Sequence, residues 1–332
     1  MDVRESLLML NKVQDLAGTG QHSGVLEYLS GRPREEIERS PTLALVYGIA
    51  HSRLGRDLEA ERWVELALRV ARERGDRAVE AHALNALGAI ALECGRIDEA
   101  SARLMDAMSL AKREGDHATV GRASNNLGLA AYYRGDYGRA VGSFTMALAA
   151  FQQTSLHRGI AEVLHNLAMT YRDQGELDKA LEAADSAVEE AAASGDIRLD
   201  AATRGGRAEI RLMAGDAKMA RREIERALET ERELGDVVGE AQDQRVLAGA
   251  LAAVGEEEQA EEMLLQVIAR AEEHCRPVLA AQAERDLAHV LHTQGRASEA
   301  LELARKARVR FLELGAEAEV AKLDRFLSEA QR

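Results

Sequence analysis

Only 3 prolines and 2 cysteines occur in 332 residues, and aromatic side chains make up 3% of them. So few prolines leave long stretches free to run as helix, because proline removes a backbone donor and clashes with the preceding turn. The shortage of aromatic residues argues against β structure, whose pleated surfaces are built from aromatic and branched side chains. Cys94 and Cys275 lie far apart, with neither a disulfide-like nor a metal-like spacing, so both are expected to be free thiols in a reducing compartment. Positive charge is also short, with 43 Lys and Arg against 57 Asp and Glu and a formal net charge of −14. Nucleic-acid binding draws its affinity from cations that neutralise phosphates, so the balance argues against it and suits a basic partner better. No run approaches the roughly 18 apolar residues of a membrane span. The first residues, MDVRESLLMLNKVQDL, carry Asp2, Glu5 and Asp15 and read as a short amphipathic helix rather than an unbroken signal segment. The expectation is a cytoplasmic chain without membrane contact.

What the chain does contain is a repeat. Glycine stands at 55, 95, 135, 175, 215, 255 and 295, and alanine five residues later at 60, 100, 140, 180, 220, 260 and 300. Leu87-Gly88, Leu127-Gly128, Leu167-Ala168, Leu247-Ala248 and Leu287-Ala288 keep the same phase, as do Ala67, Ala107, Ala147, Ala187, Ala227, Val267 and Ala307. A period in this range marks stacked supersecondary units whose apolar faces are covered by their neighbours. It argues for one array in place of the two domains that length alone suggests.

Within a unit, Asp116 to Arg134 reads as a helix, Gly135-Asp136 as a turn, and Tyr137 to Gln152 as a second helix antiparallel to the first. Leu127, Ala131, Ala140, Phe144 and Ala147 fall at helical spacings, and small residues at 128 and 140 let the two backbones approach. Asp76, Asp116, Asp196 and Asp236 stand where an N-cap is wanted. The densest acidic run, Glu256-Glu257-Glu258 with Glu261 and Glu262, opens a second helix, where acidic residues suit the dipole and a solvated face.

The pattern Leu127-Gly128, Ala140 and Phe144, with Leu167-Ala168-Met169-Thr170-Tyr171 and Ala180, resembles the tetratricopeptide repeat in an extended forty-residue form. The resemblance covers residues 42 to 314, although the tryptophan expected early in each first helix and the proline expected after each second helix are missing. It implies an all-α, right-handed α-solenoid, a superhelix of about seven helical hairpins plus capping helices. Residues 1–41, crowded with Gly18, Gly20, Gly24 and Gly31, these followed by Pro33 and Pro41, read as a degenerate capping unit, with a linker as the alternative for 31–41. Residues 42–315 read as the seven repeats, and 316–332 as a closing amphipathic helix with Val320, Leu323 and Leu327 inward.

The resemblance further implies that ligands lie along the first helices. In the third unit Arg122, Asn125, Asn126, Leu129 and Tyr133 form a stripe beside the packing residues; one unit later it is Glu162, His165, Asn166, Met169 and Asp173, with Arg172 alongside. One unit earlier the stripe is His82, Asn85, Ala86, Ala89 and Glu93. Asparagine is a poor mid-helix residue because its side chain competes for backbone hydrogen bonds, so its recurrence needs a reason. In related repeats such asparagines clamp the amides of an extended peptide, and a carboxamide offers the needed donor and acceptor. Alternatively Asn85, Asn125, Asn126 and Asn166 are simply exposed, or bridge neighbouring first helices. Arg122, Arg172 and His165 would receive a carboxylate, while Tyr133 and Met169 offer adaptable apolar area. Tyr132 serves either contact or inter-repeat packing.

Two features stand apart. Arg204-Gly205-Gly206-Arg207 places paired glycine inside a first helix, at about 1 kcal/mol each relative to alanine. The readings are close approach of a ligand or partner helix, a flexible joint, or drift in a tolerant repeat; on the sequence, alanine at both should raise the melting temperature. Asp286, His289 and His292 come nearest to a metal set, but exposed groove residues explain them better. There is no phosphate loop and no nucleophile elbow, so no enzyme activity and no cofactor are expected. The reading is a scaffold or adaptor that binds a peptide or partner helix. The alternatives are a regulatory sensor responding to a signalling peptide or small effector, and a self-assembling structural protein whose end units stack as a homo-oligomer.

Overall fold

A computed structural model describes residues 9, 11–13, 15, 16, 21–235, 237–274 and 276–330. The described residues at 9, 11–13, 15 and 16 are helical, and two short helices, α1 (His22–Ser30) and α2 (Arg34–Arg39), follow before seven helical hairpins. These are α3 (Pro41–Arg53) with α4 (Asp57–Arg74), α5 (Arg77–Glu93) with α6 (Ile97–Glu114), and α7 (His117–Tyr133) with α8 (Tyr137–Gln152). Next come α9 (His157–Asp173) with α10 (Leu177–Ser194), α11 (Ile197–Met213) with α12 (Ala217–Leu234), α13 (Val237–Ala253) with α14 (Glu257–Glu273), and α15 (Pro277–Thr293) with α16 (Ala297–Glu313). A final helix, α17 (Glu317–Glu329), has the register of an eighth first helix. Among the described residues there is no strand, and no helix is long and apolar enough to cross a membrane.

The glycines at the expected forty-residue positions all adopt a left-handed conformation, and so do Gly75, Gly115, Gly195, Gly235 and Gly315 halfway between them. A left-handed residue therefore closes second helices as well as first, so the turn signal recurs every twenty residues. Ser155 takes the same place with φ 51°, and no other non-glycine among the described residues has positive φ. Asp76, Asp116 and Asp196 cap α5, α7 and α11 by accepting from the N–H groups of Val79, Thr119 and Leu199 at 3.0–3.1 Å. Asp136 and Asp216 do the same for the second helices α8 and α12. Asp236 and Cys275 lie outside the described residues, as does most of the N-terminal segment read as an amphipathic helix.

The chain divides into two compact units, residues 1–159 and 160–332. In the first, each helix from α3 to α8 packs on the next, and first helices lie side by side, α3 against α5 and α5 against α7. Ala60, Ala100 and Ala140 are fully buried. A Cβ on Gly88 would stand 2.6 Å from Leu104, and one on Gly128 2.4 Å from the Phe144 ring, so glycine there lets the two helices of a hairpin close. In the second unit Ala180, Ala220, Ala260 and Ala300 are buried at the same position, and α11, α13 and α15 lie side by side. There α17 seats Leu323 against Ala288, Ala304 and Phe311, with Val320, Phe326 and Leu327 half-buried, and leaves Lys322, Asp324 and Arg325 exposed.

Candidate functional site: the first-helix faces

In the first unit α5 and α7 bring their predicted stripe residues together. The Asn126 side-chain amide donates to the Asn85 carboxamide oxygen at 3.3 Å, joining residues one repeat apart. One turn before Asn85 on α5, His82 Nε2 meets Oδ2 of Asp116, the residue that caps the N-terminus of α7, at 3.0 Å. Burial alone would raise the Asp116 carboxyl, but hydrogen bonds from Thr119 and His82 hold it below the usual range. Arg122 is exposed, with Nη2 at 3.4 Å from Thr119 Oγ1. Tyr133 is 56% exposed and meets Tyr132 edge to face at 5.9 Å between ring centroids. Tyr132 in turn packs on Tyr137 at 5.7 Å, so it supports Tyr133 rather than adding contact area. Asn125, expected on the stripe, is buried beside Ser124.

In the second unit the stripe residues are drawn into intrachain contacts. Glu162 and Asn166 lie half-buried on α9. The Arg172 guanidinium pairs with Glu209 on α11 at 2.7 Å and with its neighbour Asp173 at 2.8 Å. Glu209 also receives Arg245 of α13 at 2.6 Å, and Arg245 pairs with Asp286 of α15 at 2.8 Å. Asp286 is held further by Arg285 at 2.7 Å, and Arg285 reaches Glu319 of α17. A ladder of alternating charge thus crosses α9, α11, α13, α15 and α17 along one face. The Arg245 side chain, at its centre, is only 5% exposed. Burial opposes ionisation of Glu209, but Arg245 and Arg172 overcome it and hold its pKa down to about 2. His165 is pushed to about 4 by burial and by Arg172, against a weaker pull from Glu209, so it is neutral at pH 7.

Sequence reasoning misses the ladder. Its legible signal is that Arg245 and Arg285 share one register position while Glu209 and Asp286 lie within a turn of it; read along its own helix, Asp286 groups instead with His289 and His292. Those two histidines flank Phe326 of α17, with centroid distances of 4.4 and 5.5 Å.

The paired glycines of α11 also find their reason here. A Cβ on Gly205 would lie 2.5 Å from Asp243 Oδ1 on α13, and one on Gly206 would lie 2.6 Å from the His165 ring and 3.2 Å from Met169 on α9. The close approach is made by the chain's own side chains on both sides of α11. This corrects the expectation that alanine at both positions would be tolerated and stabilising.

The tetratricopeptide-repeat family model matches residues 79–153 and 119–192. No curated protein matches the sequence. Among solved structures, a Rap protein complexed with competence and sporulation factor is similar over 99% of this chain and 98% of its own, at 15% identity and a TM-score of 0.65. The quorum sensor NprR from B. thuringiensis, in its apo form, is similar over the whole of both chains at 17% identity and a TM-score of 0.60. The Rap conjugation gene regulator of plasmid pLS20, in complex with a peptide, matches 84% of this chain and 76% of its own at 16% identity and a TM-score of 0.66. With the hairpin register, left-handed turns and buried small residues already described, these similarities show that the chain has a tetratricopeptide-like helical-repeat fold.

Proposed function

We propose that this protein is a non-enzymatic binding protein that holds an extended peptide segment along the first helices of residues 41–152. The observation that carries the reading is the Asn85–Asn126 amide pair on neighbouring first helices. One hydrogen bond uses one donor of Asn126 and one lone pair of Asn85, and each carboxamide retains further donor and acceptor capacity suited to a peptide group. Half-exposed Tyr133 on the same stripe supplies amphipathic contact area at low entropic cost. The α9 residues Glu162, His165, Asn166, Met169 and Arg172 belong to the proposal less directly, since His165 and Met169 fill the space above Gly206 and Arg172 is bound within the ladder. Such a surface needs no acid, base or nucleophile, and it suits a soluble scaffold or adaptor.

A regulatory version, in which the peptide is a signal and binding alters control of a separate effector, is favoured by the fold likeness to a Rap protein complexed with competence and sporulation factor. Both versions share one test. Affinity selection of a random peptide library on the full chain should retain peptides, and Asn85→Ala with Asn126→Ala should weaken them about tenfold or more, taking about 1 kcal/mol for each lost hydrogen bond. Equal retention by a variant of unchanged helicity would remove the amide pair from the binding surface.

A further inference from the structure

The same face carries a second chemistry, two turns along the stripe from the amide pair. Glu93 follows Asn85 by eight residues on α5, and Tyr133 follows Asn126 by seven on α7, so the two occupy corresponding places on adjacent helices. They are electrostatically coupled: the Tyr133 phenol is pushed up by burial of its surroundings and by the Glu93 charge. Glu93 is exposed, and its carboxyl is raised by partial desolvation and by Asp57 against weaker pulls from Arg53 and the Ser52 hydrogen bond. Asp57 thus adds to the negative charge felt at Glu93, and Arg53 offsets part of it. Beside them Tyr133 is 56% exposed in a chain where aromatics are 3%, and Tyr132 and Tyr137 brace its ring through contacts at 5.9 and 5.7 Å.

We propose that Glu93 and Tyr133 form a subsite for a lysine or arginine side chain of the peptide bound along the first-helix face. The inference rests on the peptide-binding reading and specifies the class of peptide. A cationic head placed over the exposed tyrosine face gains from the ring quadrupole, and the exposed Glu93 carboxylate is accessible for a charge-assisted hydrogen bond to it. Lysine and arginine stems also lie well along apolar surface while the charged head reaches a polar partner. Asp57 adds attraction of the same sign, and the net charge of −14 favours the approach of a basic ligand.

The test uses the full chain and a positional-scanning library of acetylated, amidated hexapeptides, read by competition at fixed ionic strength. Lysine and arginine should be preferred over norleucine by about tenfold at one position, from cation–π and charge-assisted terms together. Glu93→Gln should abolish that preference while peptides continue to bind through the amide pair, Tyr133→Phe should retain it, and Tyr133→Leu should reduce it several-fold. Peptides that bind with no cationic preference, or a preference unchanged in Glu93→Gln, overturn the subsite and leave peptide binding standing. A library that yields no bound peptide overturns both.

Discussion

Alanine in place of Gly205 sets two effects of known size against each other. Taken as a helix residue alone, alanine is better than glycine by about 1 kcal/mol. Against it stands Asp243, whose Oδ1 would be 2.5 Å from the new Cβ, a separation that must be relieved by moving one side. Asp243 is 7% exposed and lies next to Gln244 and Arg245, which are equally buried. Overpacking at such a site costs about 1–3 kcal/mol, and a buried carboxylate pushed from its partners adds a further cost of about 1–3 kcal/mol. The steric and polar costs exceed the propensity gain, so Gly205→Ala should destabilise by about 1–5 kcal/mol.

Two other glycines bracket this case. Gly142 lies on the exposed side of α8, where an added Cβ would meet no atom within 4 Å, so Gly142→Ala should show the full propensity gain of about 1 kcal/mol. Gly128→Ala would drive a Cβ to 2.4 Å from the fully buried Phe144 ring and should be the most damaging of the three. Urea unfolding followed by far-UV circular dichroism gives each variant's midpoint relative to wild type, read on the transition of the unit that carries the substitution. A midpoint raised above wild type by Gly205→Ala, as expected for Gly142→Ala, would refute the assignment of Asp243 to the space over Gly205.

Three further outcomes are expected. Arg245→Ala leaves Glu209 and Asp286 each without one of its guanidinium partners, so it should cost about 3 kcal/mol, near the low end for a broken buried pair; Arg245→Met with Glu209→Gln and Asp286→Asn should recover much of it in the same urea titration. His165, neutral in the fold with a pKa of about 4 against an ordinary 6.5, binds its proton more readily when unfolded, so its contribution is complete above pH 6.5 and is lost as pH falls toward 4. The pH dependence of stability in that window should flatten by up to one proton in His165→Gln. Ser155→Gly removes the cost of a left-handed non-glycine residue and should raise the melting temperature, with a gain of about 1 kcal/mol.

The repeat is legible because its determinants are local. A left-handed turn needs glycine, a first turn needs an aspartate cap, and two close helices need alanine or glycine where they touch; each leaves a mark at a fixed offset. Even so, the forty-residue glycine series hides its companion at 75, 115, 195, 235 and 315, because Ser155 interrupts the second series where the eye looks for a match.

The site is less legible, for a reason visible at Arg172, Asn126 and Gly206. Each stands out as unusual on its own helix, but its role is decided by a residue about forty positions away: Glu209 for Arg172, Asn85 for Asn126, and His165 for Gly206. In stacked hairpins every first-helix residue faces the equivalent residue of the next repeat, so a polar side chain on that face has two readings until its opposite number is identified. Arginine opposite glutamate closes the face on itself, as the ladder does in residues 160–332. Asparagine opposite asparagine leaves hydrogen-bonding capacity over, and glutamate opposite tyrosine leaves charge over. Aligning the repeats and reading the columns as facing pairs, rather than reading each helix alone, therefore separates the surface that satisfies itself from the surface that has capacity for a ligand.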